Sequence, residues 1–560
     1  LGRDADAARA LAKASEVGEG GVDTLLALAD ACAREGRVDD AAAALAKARA
    51  AAPGDAAMQE RVAAELAAIG RMDDAIAAQR SAVELAPGAP GKVTLGDLLL
   101  ASGDVTGAAS VFGEAASEAP EDFDAQRGLG KAHAAAGQHA DAAKAFGKAL
   151  QLRPDDADTA FEVGRALNAL GKHAAAIGVF EAALSKAPQD AAGHAGYGEA
   201  LAAVDRKDAA LQELRRAAEL KPKVAWFHRA LGELALSMDR VDEAVKSLAE
   251  AATLAPQDVA SHRAHGLSLL AAERWQEALD ALSKTVNLGV QDGPVAVGMG
   301  GSLCRLARYS EARDWLNAAR HRAPDDPEAR YYLGVTMLAL GDVAKAREES
   351  EAAVTARPED ARYLVGFGQV LEAEKRTKQA VQQYAKAAEL DPTRAYAHEH
   401  AARVYLALGM PSEAEAHYGK LAALSDDVEV LLGLAKARED RSAPEEAVAP
   451  LERAASLRPD DADIQRRLAR ALGAAGRWDA AVDALKQAMH VAEAPAPIAA
   501  ELAEACRRAD RGFDLLDALV EARDRRPEDA GVRVALARAF ADAGEADKAY
   551  AEAKDRKSVV

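Results

Sequence analysis

The chain has 560 residues and a formal net charge of −20, with 50% hydrophobic but only 4% aromatic residues. That length exceeds what one hydrophobic core serves, so the chain holds either several domains or an array of repeats. The acidity argues against broad nucleic-acid binding, which needs a positive surface to neutralise phosphates. The alanine-dominated apolar content favours thin layers of helix on helix over a deep core.

In chain order, residues 1–21 read as the second helix of a partial unit, with Ala7 in register. From residue 22 a period sets in, and prolines supply its ruler. Pro53, Pro87, Pro120, Pro154, Pro188, Pro222 and Pro256 are 34 residues apart, once 33. Steps of 34 go on to Val290, Pro324, Pro358, Pro392 and Asp426, a step of 33 reaches Pro459, and two more of 34 meet Glu493 and Pro527. Twelve residues before each ruler position stands an alanine, from Ala41 to Ala549, with Leu515 the exception. Twelve residues earlier again the column is always Gly or Ala, as in Gly96, Gly130, Gly164, Gly198 and Gly232. Between these columns lies a turn, often a glycine such as Gly36, Gly70, Gly103 or Gly137, whose backbone freedom suits a tight reversal. The pattern predicts units one to eight over 22–292 and units nine to sixteen over 293–560, the last truncated. A soft point is expected near 287–302, where Gly298, Gly300 and Gly301 cluster in a first helix. Close packing of that helix is the alternative reading. Aspartates ahead of second helices, at Asp39, Asp73, Asp208, Asp242 and Asp479, are expected to cap them, and Asp326-Pro327 reads as a cap followed by proline at the first helical position.

A unit with Leu129-Gly130 in one helix, Ala142, Phe146 and Ala149 in the next and Pro154 after it resembles the tetratricopeptide repeat. The resemblance covers about 22–560. It departs from the family pattern in lacking the first-helix tryptophan and in a degenerate unit at 496–529. It implies an all-α fold, an α-solenoid of antiparallel helix pairs wound as a right-handed superhelix, with first helices on the concave side. One hairpin cannot bury its own apolar face, so neighbouring units must stack.

Catalytic and cofactor signatures are missing: there is no phosphate-loop Gly-Lys-Ser/Thr, no HExxH and no CxxC. No catalytic residue, cofactor or metal is therefore expected. Cys32, Cys304 and Cys506 lie far apart and outside any metal-ligand spacing. His194, His228, His262 and His398 share one repeat position. Stacked imidazoles invite a metal or a pH response, but a half-buried packing position that tolerates histidine is the plainer reading.

Function is expected on the groove. The resemblance implies that first-helix positions 2, 5, 9 and 12 face it. These include Arg127, Lys131, Phe161, Arg165, Trp226, Arg229 and Arg263, and further along Tyr331, Tyr396, Arg403, Lys436, Arg466 and Arg470. Arg and aromatic residues are enriched in binding hot spots. Acidic residues share the columns at Asp97, Glu199, Glu233 and Glu399, so a solvated mixed-charge face is the competing reading. With asparagine only at 168, 287 and 317, neither the asparagine ladder of the O-linked N-acetylglucosamine transferase superhelix nor the two-carboxylate clamp of chaperone-binding repeat domains can be assembled.

The expectation is a non-catalytic protein-interaction scaffold holding a protein or peptide segment, acidic and with an apolar anchor. The alternative is a regulatory arm of an enzyme whose catalytic part lies outside this chain. End-to-end self-association through an uncovered last unit, ending in Val559-Val560, is a weaker expectation. No nucleic acid and no membrane span are expected, since no apolar run approaches about 18 residues. The location expected is cytoplasmic. Numbering from Leu1 rather than Met leaves open a leader, and with it a periplasmic or secreted protein.

Overall fold

The computed structural model describes residues 2–16 and 21–555. Among these residues there are thirty-three α-helices, one short 3₁₀ helix and no strand. Each period folds as a first helix of about thirteen residues and a second of about fourteen, as in Phe123–Ala135 and His139–Leu152. The described chain divides into two compact units, Leu1–Val290 and Gln291–Val560.

The turn between the paired helices is set by backbone geometry. Gly137 has φ 73°, its N–H donates to the Ala134 carbonyl, and the Gln138 N–H returns to the His133 carbonyl. This left-handed closure is the usual glycine helix stop. Units that lack the glycine keep the geometry: Asp205, Asp239, Glu273, Ala307, Lys375, Ser442 and Asp510 all have φ between 56° and 64°. A side chain there costs about 1 kcal/mol of local strain.

The small column explains why the two helices approach so closely. Sixteen residues after the glycines of this column a second-helix side chain lies over them, a large one in every case but Gly334, which faces Ser350. A Cβ built on Gly130 would fall 2.5 Å from Phe146, on Gly232 2.5 Å from Leu248, and on Gly368 2.5 Å from Tyr384. Phe146, Leu248 and Tyr384 are fully buried. The same packing extends into the glycine cluster of the 293–305 helix. Gly300 faces Leu316 and Gly301 faces Tyr332, and every residue from 295 to 304 is buried. Close packing accounts for Gly300 and Gly301, and the two compact units divide just before this helix, at Val290 and Gln291.

The helix caps differ from expectation. Asp39, Asp73, Asp208, Asp242 and Asp479 lie in the first turns of second helices, while the cap positions are Arg37, Arg71, Arg206, Arg240 and Arg477, without a side-chain cap bond. The left-handed turn starts each helix two residues earlier than the sequence suggested. The aspartates still meet the positive end of the helix dipole. Several also bind the cap arginine of the following unit, with Arg71 2.9 Å from Asp39 and Arg240 3.0 Å from Asp208. Aspartate caps serve the first helices instead: Asp122, Asp156, Asp190 and Asp258 accept from backbone N–H groups. Asp326 caps as expected, with Pro327 at the first helical position. The degenerate stretch still forms a helix pair, Ala496–Ala509 and Gly512–Arg525. Val559-Val560 lie outside the described residues.

Candidate interaction surface

Positions 5 and 9 of a helix are one turn apart on one face, and the 34-residue period repeats that face from unit to unit. In Leu1–Val290, position 5 supplies Arg127, Arg229 and Arg263, and position 9 supplies Asp97, Lys131, Arg165, Glu199 and Glu233. Asp97, Glu199 and Glu233 are exposed side chains. Desolvation nonetheless raises all three carboxyls above their usual range, against the lowering pull of Lys131 and Arg127, of Arg165 and Arg229, and of Arg229 and Arg263 respectively. Water reaches these carboxylates, yet the surrounding protein partly strips them of hydration.

The cations of this wall are loosely held. Arg127 approaches Asp158 only to 3.8 Å, with its Nε buried and unbonded. Arg165 lies 3.4 Å from Glu162 on its own helix. Lys131 and Arg229 are in no ion pair among the described residues; Arg229 feels Glu199, Glu233 and Asp258 only at longer range. Arg263 is half-buried beside Glu233. Trp226 is 38% exposed and rests edge-on against buried Phe227 at 4.3 Å. Phe161 is a correction. It is 5% exposed and packs 6.5 Å from Phe180, filling the space that Gly193 leaves by having no Cβ. It belongs to the core and offers nothing to a ligand.

In Gln291–Val560 the corresponding cations are tied down. Arg403 bonds both Glu372 oxygens at 2.9 Å. Lys436 reaches Asp440 at 2.6 Å. Arg466 and Arg470 each donate to Glu501 Oε1 at 2.7 Å. Burial raises the Glu501 carboxyl, but the bonds from Arg470 and Arg466 outweigh it and hold it below the usual range. Tyr331 is mostly buried against Tyr363, while Tyr396 is 47% exposed.

The histidine column has a specific structural job. His194, His228, His262 and His398 each place Nε2 at 2.8–3.2 Å from the carbonyl of the ruler proline six residues earlier. The nitrogen must carry its proton to donate there. Other units fill the position with Gln126, Arg330, Gln465 or Arg533, which donate to the equivalent proline carbonyl. The column is thus a donor column, a signal readable from the alternation of His, Gln and Arg at one position. Among the described residues no group of three or more His, Cys, Asp or Glu is placed to hold a metal ion. The three cysteines are buried free thiols. No helix among the described residues is long and apolar enough to cross a membrane.

Comparison with known families gives two matching models, both described as tetratricopeptide repeat. One matches residues 1–56, 26–90, 93–158, 229–291, 338–395 and 400–462, and the other 133–200 and 308–364. No curated protein sequence matches the chain. Similar solved structures include YrrB, described as a TPR protein with an unusual peptide-binding site, at 20% identity over 33% of this chain and 96% of that one, TM-score 0.27. The APC/C hetero-tetramer Cut9-Hcn1 matches at 15% identity over 82% of this chain and 98% of that one, TM-score 0.36. MamA from Desulfovibrio magneticus RS-1 matches at 24% identity over 30% and 96%, TM-score 0.27.

Proposed function

The chain belongs to the tetratricopeptide-repeat family, and from that premise we propose that it is a non-catalytic scaffold that holds a segment of a partner protein on the first-helix wall of Leu1–Val290. The observation that supports this reading is the set of uncommitted cations on that wall, Lys131 and Arg229 above all, beside the exposed ring of Trp226. A cation that already spends its hydrogen bonds on a neighbouring carboxylate gains little from a ligand; one that does not can form charge-assisted bonds with it. Curved walls also focus charge, so a local positive row attracts acidic groups even on an acidic molecule.

The partner segment is extended or helical, with acidic residues and one apolar anchor. Trp226 and Arg229, at positions 2 and 5 of one helix, form its centre. The acidic neighbours Glu199 and Glu233 set limits: a uniformly acidic segment would meet them too, so the carboxylates of the ligand are spaced to miss them.

Affinity capture with the full chain followed by mass spectrometry identifies the partner, and three variants test the reading. The double variant Lys131→Glu with Arg229→Glu is expected to weaken binding at least tenfold and flatten its salt dependence. Trp226→Ala is expected to act mainly on the off-rate. Arg403→Glu, in the other unit, serves as the comparison and leaves affinity unchanged. Equal binding by wild type, the double variant and Trp226→Ala would move the site off this wall.

A further inference from the structure

Ten residues before the donor column, three repeats carry an arginine: Arg49 before Gln59, Arg320 before Arg330 and Arg523 before Arg533. Each reaches from its own second helix into the repeat that follows. Arg49 donates to Gln59 Oε1 at 2.8 Å, to the Ala77 carbonyl at 3.1 Å and to Ser81 Oγ at 2.7 Å. Arg320 bonds Glu349, which Arg330 also reaches at 3.3 Å, and Arg523 bonds Glu552 at 2.6 Å. The repeat therefore has a recurring slot for a guanidinium, between one second helix and the next.

Ten residues before His262 the corresponding residue is Ala252. A cavity of about 670 Å³ opens there between Val241–Leu254 and Trp275–Asn287, lined by His262, His265 and Leu269 of the first helix between them. Its positions match those of the Arg49 groove: His262 for Gln59, Asp280 for Ala77, Ala281 for Ala78 and Lys284 for Ser81. The acceptor is kept as well. His262 is 5% exposed and gives its Nε2 proton to the Pro256 carbonyl, so Nδ1 carries a lone pair. That lone pair takes no hydrogen bond among the described residues. In His194 and His398 the same nitrogen meets Glu213 and His417, nineteen residues on, at 2.6 and 2.8 Å. Nineteen residues after His262 stands only the methyl group of Ala281.

We propose that this groove docks an arginine side chain of a partner protein, in the place that Arg49 takes in its own repeat. A guanidinium carries its N–H donors in one rigid plane, so it meets the His262 lone pair and the Asp280 carbonyl together, as Arg49 meets Gln59 and Ala77. A lysine ammonium is a point donor on a flexible stem, and a carboxylate would set acceptor against acceptor at His262. A buried acceptor without a donor is costly, so pairing His262 adds to affinity. The exposed carboxylates of Asp280 and Glu277 stand at the rim, Asp280 held by the Gln276 amide at 3.0 Å and Glu277 by Arg274 at 2.7 Å. Burial, ahead of the nearby charges of His262, Arg274 and Lys284, lowers His265, so its ring adds no positive charge at neutral pH. Lys284 is the opposing feature. Its ammonium stands where the Arg49 groove has the neutral Ser81, and it is in no ion pair among the described residues. The groove avoids positions 5 and 9 of the first helix, so this site stands or falls independently of the acidic-segment wall.

The test is nuclear magnetic resonance of the full chain, isotope-labelled in histidine, with the His262 ring signal identified by its loss in His262→Gln. The probe is a Gly-Ser peptide, blocked at both ends, with one central arginine. The same peptide with lysine or citrulline in that place, and free L-arginine, serve as comparisons. The arginine peptide is expected to shift the His262 signal and to bind about tenfold more tightly than the lysine or citrulline peptide. Ala252→Arg, which supplies the chain's own guanidinium, is expected to abolish that binding and to raise the thermal midpoint. Lys284→Ser, which puts in the residue of the Arg49 groove, is expected to tighten binding about threefold. Trp226→Ala leaves it unchanged. The proposal is overturned if the lysine or citrulline peptide binds as well as the arginine peptide, or if Lys284→Ser weakens binding. It is equally overturned if Ala252→Arg still binds the peptide or lowers the thermal midpoint. Free L-arginine binding more tightly than the peptide would make the ligand a small molecule and end the docking assignment.

Discussion

At position 9 of their first helices, Leu1–Val290 carries Lys131 and Arg165, and Gln291–Val560 carries Arg403, Lys436 and Arg470. The first pair is in loose contact at most; the second set is bonded at 2.6–2.9 Å to Glu372, Asp440 and Glu501. For Arg403 the difference originates at position 12 of the preceding first helix. Position 12 in Leu1–Val290 is filled by residues such as Leu100, Ala134, Ala202, Leu236 and Leu270, while Gln291–Val560 has Glu372 and Glu439 there. Glu372 holds Arg403, and Glu439 holds Arg467. A cation column alone therefore does not make a binding wall. What decides is whether a carboxylate stands within reach: Glu372 from position 12 of the preceding first helix for Arg403, Asp440 one turn along its own helix for Lys436, and Glu501 of the following unit for Arg470. Gln291–Val560 ties Arg403, Lys436 and Arg470 to its own carboxylates, while Leu1–Val290 leaves Lys131 and Arg229 outside any ion pair among the described residues.

The largest expected effect is one the two units share. Gly232→Leu and Gly368→Leu, one in each unit, should each destabilise by roughly 1–3 kcal/mol, because each forces a side chain into Leu248 or Tyr384. Urea midpoints measure it, and a midpoint unchanged in either variant would remove that glycine from the helix–helix contact. Charge should then separate the units. Glu501→Gln strands Arg466 and Arg470 and should cost about 1 kcal/mol after allowing for solvent screening. Arg229→Ala, with no ion pair to lose, should stay within about 0.5 kcal/mol of wild type. Equal costs would erase the distinction drawn here. The donor column offers a rescue test: His228→Leu should cost about 1 kcal/mol, and His228→Gln should recover most of it, since Gln126 and Gln465 do the same work elsewhere.

The smallest effects come from acid, and they have opposite signs. His398 and His417 place their Nδ1 atoms 2.8 Å apart. Burial, with His398 and Lys420 nearby, pushes His417 down to about 4, and burial lowers His398 as well. The unfolded chain protonates both near 6.5, so the folded state loses stability as pH falls from about 6.5 towards 4. Asp97, Glu199 and Glu233 are raised, so their cost is present at neutral pH and is relieved as pH falls through their folded values towards the unfolded ones. Hydrogen exchange at pH 7 and pH 5 should show protection falling around Ala395–Leu424 while the Leu1–Val290 wall holds steady. Loss of protection on that wall first would reverse the assignment.

The period, the small columns and the helix pairing were legible in the sequence because each rests on a steric rule repeated from unit to unit, a small residue facing a second-helix side chain. A glycine sixteen residues before a Phe, Leu or Tyr is such a rule. The aspartate caps were misplaced because the left-handed turn advances the helix start, and that shift depends on backbone geometry rather than on residue type. Phe161 was assigned to the groove by its position, yet its ring turned inward because Gly193, in the next first helix, left a space for it. That glycine was a readable signal. The ion pairs of Arg466 and Arg470 with Glu501 join residues 31 and 35 apart, and no column pattern announces them, since Glu501 falls in the degenerate unit where the register loosens. The candidate wall was thus legible as a set of columns, while the state of its charges needed three dimensions.

The seven turns closed by a side-chain-bearing residue in the left-handed conformation have a bearing on engineering. Asp205, Asp239 and Glu273 stand in one unit and Ala307, Lys375, Ser442 and Asp510 in the other. Each is a local tension of about 1 kcal/mol that glycine would release, as Gly137 and Gly341 already do in their own repeats. These turns lie between the paired helices, away from positions 5 and 9 of the first helices. Replacing them one at a time would tune the thermal endurance of the array in small steps without redrawing the faces it presents.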